Sequence, residues 1–190
     1  MLERILEWDR QTFIYLNNLG IDEYDAFWTT VTSFSTWIPL FLLFIFLIFK
    51  KYPKREAIFV IITILLLSFF VDTLTDLTKH SVARLRPNNN TEINTLIRIL
   101  KNPTTYSFFS GHSASSFSIT TLVVLFLRDR FKWSWLFYIW PVLFVMSRIF
   151  VGVHFPVDIL VGATVGIVSA IFFYFLYARF IGPSLGLDRP

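Results

Sequence analysis

A chain of 190 residues in which 55% are apolar, 16% are charged, 23 are Phe and 6 are Trp, with a mean hydropathy of +0.61, has lipid as the solvent for most of its length. The absence of Cys excludes disulfides, thiolate chemistry and any cysteine-ligated metal. The net charge of +4 is expected to set topology in a membrane chain, so nucleic acid is not an expected partner.

From Leu2 to Leu16, the apolar residues Leu2, Ile5, Leu6, Phe13 and Leu16 share one helical face, with Glu3, Glu7 and Arg10 elsewhere. This predicts an amphipathic helix lying in the membrane interface, neither a span nor a cleaved signal peptide. Asn17-Asn18-Leu19-Gly20 ends it, because Asn and Gly accept the left-handed conformation of a C-cap. A first span is predicted from Phe27 to Phe49, meeting the basic turn Lys50-Lys51-Tyr52-Pro53-Lys54-Arg55, the strongest cytoplasmic marker in the chain. A second, Ala57 to Leu77, returns to the opposite side, carries Asp72 and Asp76, and is followed by Lys79.

The longest polar stretch runs from Lys79 to Ser110. Within it Ile93, Leu96, Ile97 and Leu100 fall at i, i+3, i+4 and i+7, which predicts a short surface helix with Thr91 as its cap. A third span, Ala114 to Leu127, ends at the basic Arg128-Asp129-Arg130-Phe131-Lys132. A fourth, Trp133 to Phe150, brings Arg148 back to the side of Lys79, and a fifth, Val157 to Tyr177, leaves Arg179 and the Gly/Pro-containing tail inside. In the last, Gly162 and Gly166 read as a close helix-packing pair. The expected fold is all-α and a single domain over 1–190. It is an integral membrane bundle of five transmembrane helices, plus an N-terminal amphipathic surface helix and a short extracytoplasmic helix.

The alternation places three polar stretches on one extracytoplasmic side. They are Lys79 to Pro87, Phe109 to Ser113, and Ser147 to Asp158. Each sits where an apolar helix meets its boundary and brings a cation or a histidine. Charged groups there are costly unless they face a polar cavity, so a shared site is expected; snorkelling of Lys79 or Arg148 explains neither His112 nor His154. Gly111 lets backbone approach an anion, the amides opening the following helix point at it, and Ser110 adds a hydroxyl. His154 and Asp158 at i, i+4 would share a face if the chain is helical from His154, giving an imidazole oriented by a carboxylate. Arg148 supplies a planar fork suited to phosphate.

Lys-x6-Arg-Pro (Lys79 to Pro87), Ser-Gly-His (Ser110 to His112) and Ser-Arg-x5-His-x3-Asp (Ser147 to Asp158) resemble the three motifs of the type 2 phosphatidic acid phosphatase family, in order and spacing. One departure is that Phe109 stands where the family's second motif usually begins with Pro. The resemblance implies a metal-independent lipid phosphate phosphatase needing no cofactor. His154 would be the nucleophile, Asp158 would orient it, and His112 would act as acid and then base. Lys79, Arg86, Ser110, Gly111 and Arg148 would hold the phosphate. By analogy with compact bacterial members it points to undecaprenyl diphosphate first, with phosphatidylglycerol phosphate, phosphatidate and lipid A phosphate as alternatives. It also implies a multi-pass protein of the bacterial cytoplasmic (inner) membrane with its site facing the periplasm or outside; oligomeric state stays open. The competing expectations are a metal-dependent hydrolase using Asp72, Asp76 and a histidine, and an anion transporter or silent lipid-phosphate binder.

Overall fold

The computed structural model describes residues 2–184. The Leu2 side chain and the tail beyond Ser184 lie outside the described residues. Seven helices carry the chain: α1 (Leu2–Asn17), α2 (Asp25–Val31), α3 (Ile38–Lys51), α4 (Lys54–Val82), α5 (Gly111–Leu127), α6 (Ile139–Phe150) and α7 (Pro156–Leu176). A π-helical turn, Tyr177–Ile181, and a last short turn, Gly182–Ser184, follow α7. Four helical stretches are long and apolar enough to cross a membrane: Phe34–Lys51, Lys54–Asn89, Lys132–Phe150 and Pro156–Ser184. The apolar α5 has 17 residues and about 25 Å of length; it packs against α7, α4, α6 and α3.

The α5–α7 seam depends on glycine. A Cβ on Gly166 would stand 2.3 Å from the Ala114 carbonyl oxygen, and one on Gly162 would stand 2.6 Å from that of Ser110. Only Gly lets the two backbones meet so closely. At the basic end, Lys51 Nζ and Tyr52 Oη donate to the Phe126 carbonyl at 2.6 and 2.7 Å. These bonds fill a carbonyl that the end of α5 leaves unpaired.

Three expectations are corrected. The first predicted span is not one helix: α2 stops at Val31, Ser33 is extended, and a 3-10 turn (Phe34–Trp37) precedes α3. Hydroxyl-rich sequence competes for the backbone here. Thr36 Oγ1 donates to the Thr30 carbonyl at 2.7 Å and Trp37 Nε1 to that of Val31 at 2.9 Å, satisfying the groups the break releases. The short extracytoplasmic helix reduces to one 3-10 turn, Asn94–Leu96. Asn90 Oδ1 accepts the Glu92 N–H at 3.0 Å in place of a Thr91 cap, and the Leu100 N–H is drawn away to the Val151 carbonyl. The third correction is one of local geometry alone: the fourth predicted span stands as the stretch Lys132–Phe150, but it opens as a 3-10 helix, Lys132–Tyr138, before α6.

Helix α1 also turns an unexpected face inward. Asp9, Phe13 and Asn17, at i, i+4 and i+8, are fully buried, whereas Ile5 and Leu6 remain exposed. Asn17 Nδ2 donates to the carbonyls of Arg98 and Ile149 at 3.1 and 2.8 Å, and its Oδ1 accepts the Arg98 N–H at 2.7 Å. The residue expected only to end a helix instead fastens it to the body of the protein.

Candidate active site

The turn from α6 into α7 carries the central histidine. Gly152 has φ +82, and a Cβ there would stand 2.5 Å from the Arg98 carbonyl oxygen; glycine is required on both counts. Helix α7 begins at Pro156, later than expected, so His154 precedes the helix and Asp158 sits in its first turn. The pair still meets: His154 Nδ1 lies 3.5 Å from Asp158 Oδ2, and both side chains are essentially fully buried. Asp158 Oδ2 accepts the Phe155 N–H at 3.1 Å, filling an orphan donor at the helix start.

Arg86 holds the other side of the imidazole. Its Nη1 lies 2.9 Å from His154 Nε2, and because a guanidinium can only donate, Nε2 is the acceptor and the ring proton sits on Nδ1 facing Asp158. Arg86 is fixed by Nε to the Thr105 carbonyl at 2.7 Å, Nη2 to Thr105 Oγ1 at 3.0 Å and Nη1 to the Val153 carbonyl at 3.1 Å. Complete burial, and then the charges of Arg86, Arg148 and Lys79, hold the His154 imidazole well below the ordinary histidine range. It is therefore neutral at neutral pH with a lone pair on Nε2.

The linkage sign follows. The folded pKa of His154 is lowered, so below about pH 6.5 the unfolded chain takes a proton that the folded protein refuses. Between pH 6.5 and 5, above the carboxylate range, His154 should remove stability by up to about 1.4 kcal/mol per pH unit. The expected result is a thermal midpoint in detergent that falls with acidification, and a shallower fall for His154→Asn. Equal slopes would contradict the buried neutral histidine.

Arg148, at the end of α6, is 5% exposed. Its Nη1 donates to Thr32 Oγ1, so the break after α2 has a use: it brings this hydroxyl to the arginine. Arg148 Nε is buried without a partner. Among the described residues neither Arg86 nor Arg148 has a carboxylate within ion-pair distance. Buried cations left so carry a penalty of several kcal/mol each, which a bound anion offsets.

Ser110 caps α5, its Oγ accepting the Ser113 N–H at 3.4 Å, while its own N–H donates to the Asp158 carbonyl at 3.0 Å. Phe109 is buried in the core beside it. A Cβ on Gly111 would lie 3.8 Å from Lys79 Nζ, so Lys79, carried on α4, faces the start of α5. His112 packs against two phenylalanine rings that also touch each other, with centroids 5.2 Å away for both Phe34 and Phe144. Lys79, Gly111 and His112 line a cavity of about 420 Å³ with Asp72, Asp76, Thr75, Ser115 and Phe34. Ser68 and Ile119 join that cavity to an apolar one of about 210 Å³ between α3, α4 and α5. Toward the polar side, Asp76 and Lys79 also border a pocket of about 320 Å³ with His80, Thr104, Thr105 and Tyr106.

Arg84 is the residue whose part the sequence did not reveal. Its Nη1 meets Asp158 Oδ1 and its Nη2 meets Asp9 Oδ2, both at 2.7 Å. Asp72 accepts from Ser115 Oγ at 3.0 Å, and among the described residues no group of three His, Asp or Glu gathers as a metal site. Burial raises the pKa of Asp9, and its bonds to Arg84 and to the Val157 N–H oppose that rise.

Residues 56–181 match the family model described as the PAP2 superfamily. A lipid A 4'-phosphatase of Porphyromonas gingivalis is 31% identical over 183 residues, covering 94% of this chain and 77% of the relative. An undecaprenyl-diphosphatase of Sulfolobus acidocaldarius is 34% identical over 154 residues, covering 80% of this chain and 68% of the relative. A crystal structure of a transmembrane PAP2-type phosphatidylglycerolphosphate phosphatase from Bacillus subtilis shares the fold. It superimposes with a TM-score of 0.73 at 20% identity, covering 93% of this chain and 88% of the other.

Proposed function

This chain belongs to the PAP2 superfamily, as a multi-pass membrane phosphatase, and from that membership we propose that it hydrolyses a lipid phosphomonoester through a phosphohistidine on His154. The observation that carries the reading is the pair of buried guanidiniums, Arg86 and Arg148, without carboxylate partners beside a neutral histidine. Such a site is built for an anion that brings its own charge.

In the first step the phosphate displaces Arg86 from Nε2, and the Nε2 lone pair attacks phosphorus as the P–O bond to the lipid breaks. His112 gives its proton to the departing lipid oxygen. In the second, water attacks phosphorus, passes a proton to His112, and the P–Nε2 bond breaks. Asp158 stabilises the positive imidazole ring between these steps. Lys79, Arg86, Arg148, the Gly111 amide and Ser110 hold the equatorial oxygens; Ser110 does so while its hydroxyl caps α5. No step needs a metal or cofactor.

The two adjoining cavities, which share Ser68 and Ile119 in their walls, support a lipid substrate, with the phosphate at the Lys79 and His112 end and hydrocarbon toward Ile64, Leu65 and Val123. A saccharolipid phosphomonoester of the lipid A type is the first substrate reading, because the relative so named aligns over nearly the whole chain. Undecaprenyl diphosphate, favoured from sequence, becomes the second reading on the shorter alignment. We read α5 as a fifth span, the chain as one domain, and its location as a bacterial inner membrane with the site on the outer side, opposite the basic turns after α3 and α5.

The test is phosphate release by purified protein in detergent, with chelator present, from lipid A, undecaprenyl diphosphate and phosphatidylglycerol phosphate. Release in chelator, fastest from lipid A, is expected. Fastest release from undecaprenyl diphosphate moves the second reading to first place. No release from any lipid by folded protein returns the site to anion binding.

A further inference from the structure

Both oxygens of Asp9 are engaged although the residue has no exposed surface. Oδ1 accepts the Val157 N–H at 2.8 Å and Oδ2 meets Arg84 at 2.7 Å. Arg84 lies over the Phe155 ring, 4.1 Å from its centroid, and its other arm holds Asp158 Oδ1. Asp158 then turns Oδ2 toward His154. One guanidinium thus bridges two buried carboxylates, and the three groups sum to a single negative charge. Asp158 and Arg84 alone would sum to zero, leaving the positive ring formed at His154 without a net counter-charge.

Anchoring α1 does not require this arrangement. Asn17 and the edge-on contact of Phe13 with Phe155 already fasten the helix, and a neutral Asn or Ser caps a helix-start N–H such as that of Val157 comparably well. What a neutral residue cannot do is balance Arg84. We propose that Asp9, acting through Arg84, is a positioning residue of the active site that leaves Asp158 the net negative charge His154 needs. Through this one residue the surface helix bears on the charge balance at His154. This rests on the reading of His154 as nucleophile.

The test compares Asp9→Asn, Arg84→Gln, the double variant, and Asn17→Ala as an anchoring control. Asp9→Asn should lower kcat about ten- to a hundredfold, the usual scale for a partner behind a functional histidine, with KM within about twofold. The double variant, which restores the single negative charge, should recover most of that loss. Asn17→Ala should lower the thermal midpoint and leave the kcat of folded enzyme unchanged. Losses that simply add in the double variant, or a kcat that tracks thermal stability equally for Asp9→Asn and Asn17→Ala, would overturn the proposal. A readout without substrate separates it from the nucleophile reading: the NMR resonance of the His154 Nδ1–H in histidine-labelled protein. It should move upfield in Asp9→Asn and return in the double variant, and an unmoved resonance overturns the relay. Wild type inactive on every lipid phosphate would instead defeat the reading of function, with the resonance still deciding the relay.

Discussion

Replacing His154 by Ala should lower phosphate release by at least about a thousandfold, a loss of ~4 kcal/mol or more in transition-state stabilisation. Among the described residues His154 is the histidine with a ring nitrogen at hydrogen-bond distance from Arg86, so His112, placed for proton transfer, is not expected to substitute as nucleophile. Truncation also removes the ring that accepts from Arg86, and the freed arginine can then hold phosphate more firmly. The expected signature is a collapse in kcat with KM unchanged or lowered. Acid-quenched reactions with labelled substrate should show a protein-bound phosphate in wild type and none in His154→Ala. Retained turnover, or undiminished labelling of the variant, would rule out this nucleophile.

The second large effect should come from Arg86→Lys, which keeps the charge and removes the fork. Arg86 uses three nitrogens on the carbonyls of Thr105 and Val153, the Thr105 hydroxyl and His154. An ammonium cannot hold that planar set and also reach phosphate. Losing a preorganised donor of this kind costs ~3–4 kcal/mol, about 10²–10³ in kcat. Single-turnover rates would locate the loss in phosphohistidine formation, because Arg86 touches the nucleophile itself. A variant that keeps wild-type single-turnover rates would show that charge alone suffices.

Much of this site was legible in the sequence because its residues lie in three short stretches at helix boundaries. Lys79, Ser110, Gly111, His112, Arg148, His154 and Asp158 follow from spacing and residue chemistry, and Arg86 from the resemblance of the Lys79 to Pro87 stretch to the family's first motif. The structure brings them around one histidine and the cavity beside it. What was not legible is what arrives from far along the chain. Asp9 sits on a helix whose apolar spacing suggested only an interface, and its pairing with Arg84 spans 75 positions. Thr105 lies in the long polar stretch and Thr32 inside the first predicted span, with nothing in either place to mark them, yet the hydroxyl of each accepts a hydrogen bond from a site arginine. The broken first span was hidden for a different reason. Apolar content reports the solvent around a segment, whereas the break is dictated by hydroxyls that compete for the helix's own carbonyls. The short helix expected near Ile93 failed similarly, since its apolar spacing was right but its backbone groups found partners elsewhere.

The order in which the chain is made adds a constraint to the placement of α1. This helix is synthesised before the spans, yet Asn17 finds Ile149 across 132 positions and Asp9 finds Val157 across 148. Ile149 is made only at the end of α6, and Val157 only as α7 begins. Until then α1 can only rest on the bilayer surface by its exposed Ile5 and Leu6, with a carboxylate and an amide waiting for their sites. A helix made before the spans thus docks only after most of them, and the carboxylate pair behind His154 is complete only once α7 has begun.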